Sequence, residues 1–292
     1  MTQVTPSSPG GVVVVSETVV PCGETRSAAS LLTFFALAFA WSWTCWLLAP
    51  ALKAEHPFEA GALSLTGGFG PSLAAIVVVA HRSDSAGLRR WLMRCMGWRV
   101  GWRWDLLAFV FPVVFMGLAA AAHVALGGTL PPSPAVGHVG LVAANFLLIF
   151  FVGGPLGEEF GWRGYALPAL QVRWGWRVAS LLLGVVWAVW HLPLFYSAGT
   201  VQSHLPMGLY TLSAIASSVL FAWLFNLSQG SVVPVLVLHT AVNAWSLIIP
   251  VMVLPDGSNL RPFQIVVGIL VLTAVSLLLR GERISNKVAG PE

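Results

Sequence analysis

An all-α bundle of about eight membrane-crossing helices is the fold this sequence predicts, and three observations predict it. Hydrophobic residues fill 57% of the 292 positions and charged residues only 9%, whereas a water-soluble domain carries roughly 25% charged residues. Mean hydropathy is +0.82. The apolar residues fall in runs near the ~20-residue length that spans a hydrocarbon core, bounded by Gly, Pro and Arg.

Residues 1–28, rich in Ser, Thr, Pro, Gly and Val, read as a mobile tail and lack the basic n-region of a secretory leader. A single membrane domain at 29–281 follows, then a short tail at 282–292. Within the domain, spans are expected near 29–50, 61–80, 104–126, 138–159, 177–198, 207–227, 232–252 and 262–280. The fourth is the least regular, because Gly153, Gly154, Pro155 and Gly157 interrupt it. Backbone broken at membrane depth is tolerated only where protein buries it or where it lines a wet cavity. Gly87 to Trp104 mixes Arg with Leu, Met, Trp and Val, the make-up of an amphipathic helix lying in the interface.

The net charge of +4 does not signal nucleic acid, because the basic residues sit at the ends of apolar runs. Eight spans with a cytosolic N-terminus place 13 of the 15 Lys and Arg residues on the cytosolic side, leaving only Lys53 and Arg261 outside. The positive-inside rule therefore puts both termini in the cytosol. Cys22, Cys45 and Cys95 are odd in number and lack a CxxC spacing, so neither a disulfide framework nor a thiolate metal site is expected.

Ionisable side chains inside spans cost about 2.5–3.5 kcal/mol on insertion scales and so mark function. Glu158 and Glu159 close the broken fourth span, His191 lies in the fifth, and His239 and Asn243 lie in the seventh. Glu159 and Arg163 are i and i+4, which puts them on one helix face as a pair. Glu158 points about 100° away, which leaves it without an intrahelical partner and free to serve as a general base. Trp187 stands one turn before His191 and shields it. His239 and Asn243, again i and i+4, face one direction as two donors suited to an oxyanion.

These stretches resemble the three motifs of the CPBP intramembrane proteases, the family of type II CAAX prenyl endopeptidases and bacterial Abi-type proteins. The family pattern is Glu-Glu-x-x-x-Arg, Phe-x-x-x-His and His-x-x-x-Asn. The sequence reads Glu158-Glu159-x-x-x-Arg163, Trp187-x-x-x-His191 and His239-x-x-x-Asn243, with Trp187 in place of Phe. The motif core covers residues 138–250.

The resemblance implies peptide-bond hydrolysis by an activated water near the cytosolic face. Glu158 would be the base and His191 would hold the water. His239 and Asn243 would form the oxyanion pocket, while Glu159, Arg163 and Trp187 support the site. No cofactor is required. A divalent metal such as zinc, on Glu158, His191 and His239, is permitted but not demanded, since no His-Glu-x-x-His occurs. The implied partners are a peptide or protein substrate, prenylated or membrane-bound, and the lipid bilayer, with no nucleic acid.

Other intramembrane chemistries lack their residues. Asp84, Asp105 and Asp256 lie in loops or at span edges, and Lys53 and Lys287 lie outside the spans. Ser72, in Gly70-Pro71-Ser72, is only a partial nucleophile motif. The alternatives to a hydrolase are a non-catalytic scaffold or bacteriocin-immunity-type protein of the same fold, and a transporter. The transporter is disfavoured because no second half mirrors the first.

Overall fold

The computed structural model describes residues 27–97, 101–133, 138–152, 154–251 and 259–280. Residues 1–26 and 281–292, where the tails are expected, lie outside them. The described chain is helical throughout its ordered elements. α1 spans Ala28–Leu52, α2 Pro57–Gly67, α3 Gly70–Arg82, α4 Ser85–Cys95 and α5 Trp102–Ala125. α6 spans Val139–Val152, α7 Pro155–Gly161, α8 Leu167–Trp190, α9 Met207–Leu227, α10 Val233–Ile248 and α11 Arg261–Arg280. A π-turn, Trp162–Ala166, joins α7 to α8, and a 3₁₀ turn, Leu192–Tyr196, follows α8.

Proline sets many of the starts. It occupies the first turn of α2, α3, α7, α8 and α10, where its missing N–H has no partner to lose. Side chains cap two others: the Ser27 hydroxyl accepts from Ser30 N, and Asp84 Oδ1 accepts from Gly87 N at 2.7 Å.

Five helical segments are long and apolar enough to cross a membrane: Ala28–Leu52, Trp102–Ala125, Pro155–Tyr196, Met207–Leu227 and Arg261–Arg280. A sixth is the pair α2 and α3, bent by 54°. Two further apolar helices, Gly140–Val152 and Val233–Ser246, are shorter. At 1.5 Å per residue they fall short of a ~30 Å core. The expected eight full crossings are thus not established, although the apolar segments sit where the sequence places them.

Four boundaries differ from expectation. The second span is not straight but breaks between Gly67 and Gly70. The indoles of Trp41 and Trp46 on α1 donate to the Thr66 and Ser64 carbonyls there, each at 2.9 Å, satisfying acceptors that the bend releases. The fourth span does not end in a loop, because α7 runs through the π-turn into α8. Arg163, counted with the cytosolic loop charges, is therefore fully buried. α8 is itself broken at Gly175, whose positive φ (70°) kinks the chain between residues 167–174 and 176–190. The fifth span's α-helix stops at Trp190, not 198, since Pro193 has no N–H to continue it. The amphipathic helix is α4 alone and ends at Cys95, while residues 98–100 lie outside the described residues.

α8 packs on α9, α1 on α2 and α3, α10 on α5, α11 on α9, and α3 on α7. The α3–α7 contact relies on glycine. A Cβ on Gly157 would come within 2.5 Å of the Gly68 carbonyl, and one on Gly161 within 2.4 Å of the Pro71 backbone. Two interrupted helices are thereby pressed together at their breaks. Ser72 closes the contact by donating to the Leu156 carbonyl at 2.9 Å, which gives its hydroxyl a structural task. α4 is fastened below them: Trp91 Nε1 donates to the Gly164 carbonyl at 3.0 Å, and Val232 N donates to the Cys95 carbonyl at 2.9 Å.

Candidate active site

Glu158, Glu159, Arg163, Trp187, His191 and His239 meet in the interior where α7, the π-turn, α8 and α10 converge. Their exposures run from 0% for Glu159 and Arg163 to 7% for His191. α7 begins at Pro155, directly after Gly154, whose left-handed backbone (φ 108°) turns the chain. A side chain there would also be strained, and its Cβ would stand 2.9 Å from Glu158 Oε1.

The Glu159–Arg163 pair forms as the spacing predicts, Arg163 Nη1 donating to Glu159 Oε1 at 2.9 Å. An isolated guanidinium in such a place is very unfavourable. The carboxylate offsets this, and so do the rings of Trp187 and Phe221, whose centroids each lie 4.7 Å from Arg163 Cζ. Arg163 Nε and Nη2 and Glu159 Oε2 have no hydrogen-bond partner among the described residues.

Glu159 also receives a second bond. His239 Nδ1–H donates to the same Oε1 at 2.8 Å, so Glu159 ties α7 to α10. Neutral His239 with its proton on Nδ1 has its Nε2 lone pair ungripped, and donation from Nε2 needs a second proton.

Glu158 is not without a partner, as its helix alone suggests. Its Oε2 accepts from the Trp187 indole N–H on α8 at 2.6 Å. Oε1 has no hydrogen bond among the described residues. His191 caps the C-terminus of α8, and its Nδ1–H donates to the Trp187 carbonyl at 2.8 Å. That bond fixes the tautomer and again leaves Nε2 ungripped. Both imidazoles lie against the Trp187 ring, at 5.7 Å for His191 and 5.5 Å for His239 between centroids. Glu158 and His239 both lie within coulombic reach of His191.

Asn243 stands one turn beyond His239 on α10. It is half-buried and makes no side-chain hydrogen bond among the described residues, so no hydrogen bond joins it to the other six.

The walls hold residues that the motifs do not flag. Trp46 of α1 stacks on His191 (6.3 Å, 22°), and Tyr210 of α9 meets its edge at 5.4 Å. The Tyr210 hydroxyl bonds to the Gln202 side chain. Neither residue has a spacing that would single it out, since each belongs to a helix remote in sequence.

Glu158, His191 and His239 are the side chains a zinc ion would draw on. Among the described residues no three His, Cys, Asp or Glu side chains are gathered to hold a metal, so the donor set is not preassembled for one. The arrangement offers instead one carboxylate oxygen and two imidazole nitrogens, each on a group anchored by its other polar atom. That is the equipment for orienting and deprotonating a water.

Residues 140–245 match the family model described as type II CAAX prenyl endopeptidase Rce1-like. Over 92 residues the chain is 32% identical to CAAX prenyl protease 2 of Methanococcus maripaludis, covering 30% of this chain and 34% of that protein. The chain thus spans about a third of the length of the curated relative it matches. The resemblance drawn from the three motifs is borne out over the stretch that carries them. With the apolar helices, it makes this an integral membrane protein of polytopic helical architecture.

Proposed function

With the Rce1-like segment at residues 140–245 as premise, we propose that this chain is an intramembrane endopeptidase that hydrolyses peptide bonds near the cytosolic membrane face. The supporting observation is the half-anchored state of Glu158, His191 and His239. Each has one polar atom bonded and the other unclaimed, and all three side chains contact Trp187.

In this reading a water lies between Glu158 Oε1 and His191 Nε2. The water attacks the scissile carbonyl carbon as Glu158 takes one of its protons. The carbonyl oxygen becomes an oxyanion, stabilised by the Asn243 amide and by doubly protonated His239 through Nε2–H. Glu158 then passes the proton to the departing amine as the C–N bond breaks, and is restored. Glu159 and Arg163 hold the first helix, and Glu159 orients His239.

The substrate class this reading takes first is C-terminal prenylated CAAX peptides, as the name of the matched relative suggests. In a cell without prenylated partners, the same chemistry suits signal-like or bacteriocin-like peptides and membrane-bound regulators. The test compares the full-length protein in nanodiscs with its Glu158→Gln form, on a prenylated reporter peptide and by proteomics of membrane-associated peptides. A loss of about 10³-fold or more is expected. An unchanged peptide profile and turnover would leave a non-catalytic scaffold. Chelation followed by zinc return tests the metal: activity lost and then restored would give Glu158, His191 and His239 ligand roles.

A further inference from the structure

Trp187 stands where the resembled pattern carries Phe. Both rings are flat and apolar, but only the indole has an N–H. In this chain that N–H donates to Glu158 Oε2 at 2.6 Å, while the carbonyl of the same residue accepts from His191 Nδ1 at 2.8 Å. One residue therefore holds both members of the water-activating pair, one through its side chain and one through its backbone. Its ring is in turn immobilised by burial (6% exposed), by Phe221 at 5.8 Å and by the Arg163 guanidinium.

We infer that Trp187 is a positioning residue whose indole N–H grips Glu158 by Oε2, so that Oε1 alone is presented to the water that His191 Nε2 also faces. The role rests on the reading of Glu158 as base. A carboxylate tip free to turn exchanges its two oxygens and samples geometries off the line of attack, and a misplacement of about 1 Å costs roughly 10²-fold in rate. The bond removes that freedom. Trp187 → Phe would keep a ring for Arg163 and the imidazoles but would leave Oε2 unheld.

The experiment uses full-length protein in nanodiscs. Two variants remove the donor: Trp187→Phe, and replacement of Trp187 by 3-benzothienylalanine, which puts sulfur where the N–H was and keeps the bicyclic shape. kcat and KM are read separately on a prenylated reporter peptide. The Trp187 indole ¹H–¹⁵N resonance, identified by its absence in Trp187→Phe, is followed in wild type and Glu158→Gln. Expected are a kcat lower by about 10–100-fold with KM within about twofold in both variants, and a displaced indole resonance in Glu158→Gln. A benzothienyl variant that turns over like wild type, beside an inactive Glu158→Gln, overturns the positioning role and leaves the hydrolase reading standing. So does an indole resonance indifferent to Glu158→Gln. A fully active Glu158→Gln overturns the base assignment and the positioning role together.

Discussion

Two buried clusters in this protein set a histidine beside an arginine, and they differ in what they leave unbonded. At the α5–α11 contact, His123 is fully buried. Its Nδ1 accepts from Arg261 Nε at 3.1 Å, its Nε2 lies 3.2 Å from the Thr129 carbonyl, and Arg261 also donates to the Leu126 carbonyl at 3.3 Å. Both ring nitrogens are occupied. At the α7–α8–α10 cluster, His191 and His239 each have Nδ1 occupied and, among the described residues, Nε2 ungripped. A satisfied imidazole fastens helices. A half-satisfied one, held in a single tautomer with its second nitrogen still able to bond, is equipped for chemistry.

Substitutions can break or sharpen that contrast. His239→Ala should lower peptide hydrolysis by about 10²–10³-fold, measured as turnover per correctly folded molecule by gel-filtered yield. Near-normal turnover would remove His239 from the oxyanion role. Glu159→Gln should act chiefly on stability, because it weakens the carboxylate that compensates a buried guanidinium. Breaking such a pair costs about 3–5 kcal/mol, and a thermal-shift assay in detergent should show a large drop. Replacing Arg163 by Met in the same protein should recover part of it, a coupling that a double-mutant cycle measures. His123→Ala should cost about 1–3 kcal/mol yet leave turnover per folded molecule unchanged. If turnover falls instead, the two clusters are not separate in function. Ser72→Ala is the smallest, about 1 kcal/mol for one lost hydrogen bond, and retained cleavage would dispose of a serine nucleophile.

What was legible in the sequence follows the range of the interactions. Glu159 with Arg163 was readable because a helix places i and i+4 on one face. The broken fourth span was readable from Gly153, Gly154, Pro155 and Gly157, and Met207–Leu227 was readable from its apolar run alone. The bond from Trp187 to Glu158 joins residues 29 apart on different helices, and no local spacing encodes it. The stacking of Trp46 on His191, the occupation of His239 Nδ1 by Glu159 and the 54° bend of α2 and α3 depend likewise on how helices lean together. The early stop of α8 is a local feature: Pro193 forbids the next α-helical bond, which moves His191 from mid-helix to a cap.

The π-turn at Trp162–Ala166 amounts to one residue inserted into the helix that runs from Pro155 to the break at Gly175. Each residue advances a helix by about 100°, so excising a single residue there would turn residues 167–174, as far as the break at Gly175, by that angle relative to Glu158 and Glu159. Leu167 and Leu170, buried in the interior, would then face another way, although all three letters of each motif would still be present. A chain with an intact signature and a corrected helix would be expected to lose the packing that holds its two acids in place.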